Sequence, residues 1–229
     1  MIANPPNYKG RAPEEIISQN IYFDSVGYTY RALSWLDFAR RNRNVCVLLY
    51  AALDGRLAIE QLLFEEVVLC VGTKLDRAEY NKIKGNSTKL HKVINKLNPD
   101  YRKLAKFTNA IMENIGLSIT IWDHSLLLKH WGRISNLLHW GGEPSETVES
   151  KEWFEQAVNS IGKVMIYIWD NKTKSHTGIM MPNEMEPEIH KIWERYKDGK
   201  TDLQGVKISS KIIEPILRQG ITIRSSGRS

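Results

Sequence analysis

The stretch from about Asn44 to Val71 constrains this chain most, because it holds no proline, is apolar along most of its length and is long enough for many helical turns. It is the longest and most apolar element. Leu49, Ala52, Leu53, Ile59, Leu63, Val67 and Cys70 mark its expected buried side, with Asp54, Gln61 and Glu65 on the opposite, wet side. Arg56 and Glu60 fall inside the apolar stripe at i, i+4, in the weaker of the two orders for a helical ion pair. Tertiary packing rather than helix propensity is therefore expected to hold them. They form either a buried bridge or a charged pair that tunes a neighbouring functional group.

A second stretch carries the candidate chemistry. A helix is expected from the N-cap Asp123 to His139, with Gly141 and Gly142 supplying the left-handed stop. Leu127, Trp131, Ile134 and Leu138 recur at helical spacing as an apolar stripe, whereas Gly132, Asn136 and His139 fall together on a polar side. Arg133 and His139 point roughly 120° apart on a straight helix, with Asn136 between them. A last-turn histidine lies where the helix dipole favours its protonated form, and a helix arginine reaches far enough to share a phosphate with it. The same residues also fit a simple C-cap partner and a solvated arginine.

Arg133-Ile-Ser-Asn-Leu-Leu-His139, near the end of a late helix, resembles the HEPN motif. The preceding Ala51-to-Phe64 segment is similar to the second helix of HEPN-like bundles, and the resemblance covers about Ser25 to Asp170. It implies an all-α, up-and-down bundle of four or five helices, usually a homodimer, in which paired Arg and His residues cut RNA without a metal. In that reading His139 takes the ribose 2′-hydroxyl proton, Arg133 stabilises charge on phosphorus, Asn136 positions either group, and Arg56 and Glu60 support them. Related proteins act as toxins or in defence against invading nucleic acid, often beside a nucleotidyltransferase antitoxin. Ile134 stands where the family typically has a polar residue, a departure that bears on activity more than on fold.

The remaining segments arrange themselves around these two helices. Residues 1–20 form an arm whose Pro5, Pro6 and Pro13 disfavour a continuous helix, and the bundle is expected over 21–170, opening with a helix from Ser25 to about Arg41. Shorter helices lie between Gly72 and Gly116, one of them opened by Asn98-Pro99 as N-cap and first residue. Leu90, Val93, Ile94 and Leu97 are the inner face of another, flanked by Lys89, Lys92 and Lys96. With Arg102, Lys103 and Lys106 these make the most basic part of the chain, either a solvated face or an RNA-binding patch on which Tyr101 stacks a base. Leu117–Trp122 reads as an extended connection, and the bundle closes on a helix from about Ser150 with Phe154, Ala157, Val158, Ile161, Val164, Met165 and Ile168 inward.

Residues 171–183 read as a linker, 184–219 as a C-terminal helical appendage and 220–229 as a disordered tail. Trp193, Ile212, Ile213, Ile216 and Leu217 are too apolar to leave exposed, so the appendage is expected to dock on the bundle or on a partner chain.

Composition narrows the function classes. A net charge of +6 favours a polyanionic partner such as RNA. No apolar run reaches the roughly 20 residues needed to span a bilayer, and no signal-peptide pattern is present, so a cytoplasmic protein without a membrane partner is expected. Cys46 and Cys70 lie roughly 36 Å apart on one helix, too far to bridge, and are expected as buried, reduced thiols. Neither cysteine nor histidine spacing points to a metal, and no cofactor is expected. Three functions follow in order: a metal-independent endoribonuclease with a site shared between two protomers, an inactive HEPN-like dimerisation or interaction module, and an RNA-binding protein that does not cut.

Overall fold

The computed structural model describes residues 4–18, 24–71, 78, 87–139 and 150–215, with the backbone alone described at 69–71, 87, 88, 91, 97 and 139. Among these residues the secondary structure is helical: α1 (Pro13–Ser18), α2 (Ser25–Asn42), α3 (Val45–Val71), α4 (Ser87–Leu97), α5 (Tyr101–Asn114), α6 (His124–His139), α7 (Lys151–Lys174), α8 (Pro187–Lys197) and α9 (Leu203–Ile212). A single β-bridge, Ile119 with His176, is the nearest approach to a sheet among the described residues. The stop at Gly141 and Gly142, Trp140, and the tail from 220 lie outside the described residues.

Several helix starts are set by aspartates. Asp24 accepts a hydrogen bond from the Gly27 amide at 2.7 Å, Asp123 from the Ser125 and Leu126 amides at 3.0 Å, and Asp202 from the Gly205 amide at 2.8 Å. Each satisfies donors that the first helical turn leaves without partners. α5 begins two residues later than the Asn98-Pro99 pattern predicts. Asn98 still closes α4 by donating its amide to the Ile94 carbonyl, and Leu104 makes its first helical bond to Asp100.

The described residues divide into two compact units, the first drawn from Met1–Val68, Leu75–His91 and Trp122–Lys174, the second from Leu69–Lys74, Lys92–Ile121 and Ser175–Ser229. This differs from an uninterrupted bundle over 21–170 followed by an appendage. The physical reason lies in the apolar face of α5, where Leu104, Phe107, Ala110 and Ile111 form one core with Ile189, Trp193 and Val206 of α8 and α9.

In the first unit α2, α3, α6 and α7 form a helical bundle. α7 sends inward all seven residues of its expected stripe, from Phe154 to Ile168. Gly162 allows α2 and α7 to approach closely: a Cβ there would lie 3.2 Å from Leu36 Cδ2. Gly55 does the same where α3 meets α6 and α7, with Met165 Sδ at 3.4 Å and Ile134 Cδ1 at 3.6 Å from an added Cβ.

α3 buries Ala52, Ile59, Leu63 and Val67 of its expected stripe but departs from that stripe in its first turns. Leu49 and Leu53 are exposed, at 38% and 45%, whereas Asp54 is 4% exposed. Asp54 takes a bidentate pair of hydrogen bonds from Arg31 of α2, one of them from Nε at 2.6 Å. Burial pushes the Asp54 carboxyl above its usual pKa against the pull of that guanidinium, and the hydrogen bond to Asp54 raises Arg31 in turn. Glu65, also expected on the wet side, is half-buried and accepts from the Ser25 amide (2.7 Å), Ser25 Oγ (2.6 Å) and Lys172 Nζ (2.8 Å). Cys46 is a free, exposed cysteine rather than a buried one, and the Cys70 side chain lies outside the described residues.

The arm is tied to α2 and α7. Gly10 donates its amide to Asp37 Oδ2 at 2.9 Å, Tyr30 its hydroxyl to the Asn7 carbonyl at 3.2 Å, and Tyr8 meets Trp169 edge-on at 6.1 Å. Pro13, far from preventing a helix, opens α1, because the first helical position needs no amide hydrogen.

The second unit centres on Phe107, whose ring lies 5.2 Å from Trp193 and 6.0 Å from Tyr196. Trp193 and Ile213 are buried as their hydrophobicity requires, but Ile212 is 81% exposed. Residues 171–174 of the expected linker extend α7, and the 117–122 connection pairs with Ser175 and His176 through Thr120 N to His176 O (2.9 Å) and His176 N to Ser118 O (3.0 Å). Ile216 and Leu217 lie outside the described residues. Among the described residues no helix is long and apolar enough to cross a membrane.

Candidate active-site face

α6 has an inward and an outward side. Leu127 (0% exposed) and Ile134 (1%) face the core, with Trp131 and Leu138 half-buried beside them. Ile134 packs where α3, α6 and α7 meet, so the residue that departs from the HEPN pattern is a core residue here. Ser135 is also buried, and its hydroxyl has no hydrogen-bond partner among the described residues.

Lys129, Arg133 and Asn136 are exposed along the other side. Arg133 and Asn136, three residues apart, are neighbours on the helix surface. Gly132 beside them is half-buried, and among the described residues nothing lies within 4 Å of where a Cβ would be. α6 contains no acidic residue, and Arg133 has no carboxylate partner among the described residues. Such a guanidinium keeps its fork of donors for an outside acceptor.

His139 ends α6, but its side chain lies outside the described residues, as does its geometry toward Arg133. A different imidazole is visible on the same helix. His130, three residues before Arg133, is half-buried, and its pKa is lowered first by burial and then by the positive charges of Arg133 and Lys129. Burial and the two cations both favour its neutral form, the form able to accept a proton. The i, i+3 spacing of His130 and Arg133 is visible in the sequence, but nothing in residue type sets His130 apart from the motif histidine. Removing the Arg133 charge is expected to move the His130 pKa upward toward its ordinary value of 6.5, measured by NMR titration of the imidazole protons. An unchanged value would show that the two groups do not sense each other.

Arg56 and Glu60 reach α6, but through Trp131 rather than Arg133. Glu60 Oε1 accepts from Arg56 Nε at 2.9 Å and from the Trp131 indole N–H at 2.7 Å, while Arg56 Cζ lies 5.0 Å from the Trp131 ring. Both charged side chains are about a quarter exposed, so the pair is half-buried rather than sealed. Its role is to clasp α3 to α6 and fix the rotation of the helix that presents Arg133. Trp131→Phe keeps the ring and loses the donor. It is expected to cost about 1 kcal/mol in a urea melt, and no change would mean that water replaces the bond at no cost.

Lys89, Lys92, Lys96, Arg102, Lys103 and Lys106 are all exposed on α4 and α5. Lys103 donates to the Lys197 carbonyl at 3.3 Å. Tyr101 is only 5% exposed, so it packs in the core and is not available to stack on a base. Lys92 through Lys106 belong to the second unit, whereas Arg133 and Asn136 belong to the first. Among the described residues no cluster of three or more His, Cys, Asp or Glu could hold a metal ion.

Comparison of the chain with protein-family models, curated proteins and solved structures finds no match.

Proposed function

We propose that the chain is a metal-independent endoribonuclease of the HEPN type, working as a homodimer with a site shared between the two copies of α6. The observation that carries the reading is the outward face of α6: an exposed Arg133 without a carboxylate partner among the described residues, beside an exposed Asn136, on a helix with no acid. A guanidinium with no carboxylate partner among the described residues, on a helix without acids, suits a phosphate oxygen bidentately.

In the reaction the ribose 2′-oxygen attacks the adjacent phosphorus as its proton passes to an imidazole. The new 2′-O–P bond replaces the P–O5′ bond, and the departing O5′ takes up a proton. Arg133 holds the non-bridging oxygens as negative charge grows on them, and Asn136 donates to one of them or orients the base. His139 is the motif's base, and His130, favoured in its neutral form beside Arg133, is the second candidate. Because Arg133 and His139 diverge around the helix, each site takes its arginine from one protomer and its histidine from the other. A toxin or defence role, held in check by an antitoxin or a nucleotidyltransferase partner, fits such an activity.

The test incubates purified protein with structured RNA in EDTA beside His139→Ala and His130→Ala. Cleavage by the parent chain, lost in one of the two variants, supports the reading and identifies the base. Intact RNA, or cutting that survives both substitutions, defeats it.

A second reading has its own support. Leu49, Tyr50 and Leu53 form an exposed apolar row on α3, at 38%, 56% and 45%, of the kind that marks an interaction surface. With Ile134 in the core, the chain would then be an inactive HEPN-like dimerisation module. A protein that dimerises through this row and leaves RNA uncut is the outcome that selects it.

A further inference from the structure

A cavity of about 480 Å³ lies in the first unit between α2, α7 and the arm, and it uses none of the residues assigned to RNA cleavage. Its size is within the range of small-molecule sites, roughly 300–1,000 Å³. The floor is apolar: Leu33, Leu36 and Val158 are buried there, and Gly162 adds backbone without a side chain. Exposed Ile166 forms an apolar lip.

The rim has the opposite character. Lys9, Arg40 and Lys163 surround the opening, and the one carboxylate among the lining residues is Asp37. That carboxylate is already engaged, because its Oδ2 accepts from the Gly10 amide at 2.9 Å and from Arg41 Nε, outside the cavity, at 3.0 Å. Arg40 Nη2 donates to Asn159 Oδ1 at 3.1 Å, a neutral partner that leaves its charge unbalanced. Lys9 and Lys163 have no ion-pair partner among the described residues. Three cations thus line an apolar hollow whose one lining acid is committed elsewhere.

A basic surface alone is ordinarily a solvated face, and an apolar hollow alone is ordinarily a packing gap. Their coincidence asks for one molecule with both properties. The wall that carries Lys9 is held in place beforehand, through Tyr8 against Trp169, the Asn7 carbonyl on Tyr30 and the Gly10 amide on Asp37, so little ordering is needed on binding.

We propose that this cavity binds a small amphipathic anion, with an aromatic or branched apolar body against Leu36, Val158 and Ile166 and a carboxylate, sulfonate or phosphate at Lys9, Arg40 and Lys163. The site stands apart from the ribonuclease reading and does not depend on it.

The probe is 8-anilinonaphthalene-1-sulfonate, titrated by fluorescence into the native full chain, with N-phenyl-1-naphthylamine as the neutral counterpart that lacks the sulfonate. Saturable binding at one site is expected, weaker by roughly tenfold in Lys163→Glu and in Ile166→Asp. Both substituted side chains are exposed, so the fold is expected to be retained, with circular dichroism as the check. Leu53→Ser, on the exposed apolar row of α3, is expected to leave the titration unchanged. Binding lost in Leu53→Ser but retained in Lys163→Glu places the probe on α3 and overturns the proposal. Equal affinity for the neutral compound removes the anion, no saturable binding removes the site, and displacement of the probe by a short RNA reassigns the cavity to nucleic acid.

Discussion

Arg133→Ala is expected to lower the rate of RNA cleavage by about 10²–10³-fold while leaving the unfolding free energy within about 0.5 kcal/mol of the parent chain. The two halves of that expectation come from one observation. Arg133 is exposed and has no carboxylate partner among the described residues, so no described ion pair is lost with its charge. An arginine that served structure would show the reverse pattern, a lower melting point with activity falling in proportion. Arg133→Lys separates charge from geometry: a lysine restores a positive charge but not the two parallel N–H donors, so recovery is expected to be partial. The rate is read under single-turnover conditions and stability by urea denaturation. Full activity in Arg133→Ala removes this residue from the mechanism.

Arg31→Ala is expected to be the most destabilising of the substitutions considered, at about 3 kcal/mol at neutral pH, because it leaves the Asp54 carboxylate buried without its bidentate partner. The sign of the pH dependence follows from the same burial. Burial already raises the Asp54 pKa above its usual value, with Arg31 opposing it, and removing Arg31 raises it further. A buried carboxyl whose folded pKa exceeds its unfolded pKa costs most above the folded value, and the cost fades as pH falls toward the ordinary carboxylate range. The deficit of Arg31→Ala relative to the parent should therefore shrink on acidification. Replacing both partners, Arg31→Leu with Asp54→Leu, leaves no charge to desolvate and is expected to recover much of the loss. A single variant that loses little stability at any pH would show that water reaches Asp54.

The helical class and most element boundaries were legible because capping aspartates and stripe spacing are local signals. α7 is the clearest case: one apolar face, one buried side, and all seven expected core residues inward. α3 is the counter-example. Its first turns, Val45–Leu53, are apolar all round, so periodicity could not separate the face that packs from the row of Leu49 and Leu53 that meets solvent. The Asp54–Arg31 pair was hidden for a related reason, since a carboxylate on an apolar helix reads as a solvent marker unless its partner on another helix is known. The division into two units escaped because Lys92–Ile121 finds its core with residues after Ser175, a pairing set by tertiary contact rather than by chain order.

The outward face of α6 was partly legible. Spacing alone grouped Gly132 and Asn136, and the structure exposes Arg133 beside Asn136 while leaving Gly132 half-buried. The inward placement of Ile134 agrees with its hydrophobicity. His130 was missed because its character comes from half-burial beside two cations, which residue type does not convey. The cavity between α2 and α7 had no sequence signal, because Lys9, Arg40 and Lys163 come from three separate segments.

The chemistry of the RNA ends tests the central claim most directly. Attack by the 2′-oxygen in EDTA predicts fragments with a 2′,3′-cyclic phosphate on one side of the cut and a free 5′-hydroxyl on the other, absent from reactions with Arg133→Ala. Fragments that instead carry a 3′-hydroxyl and a 5′-phosphate, or RNA that remains whole, would contradict it.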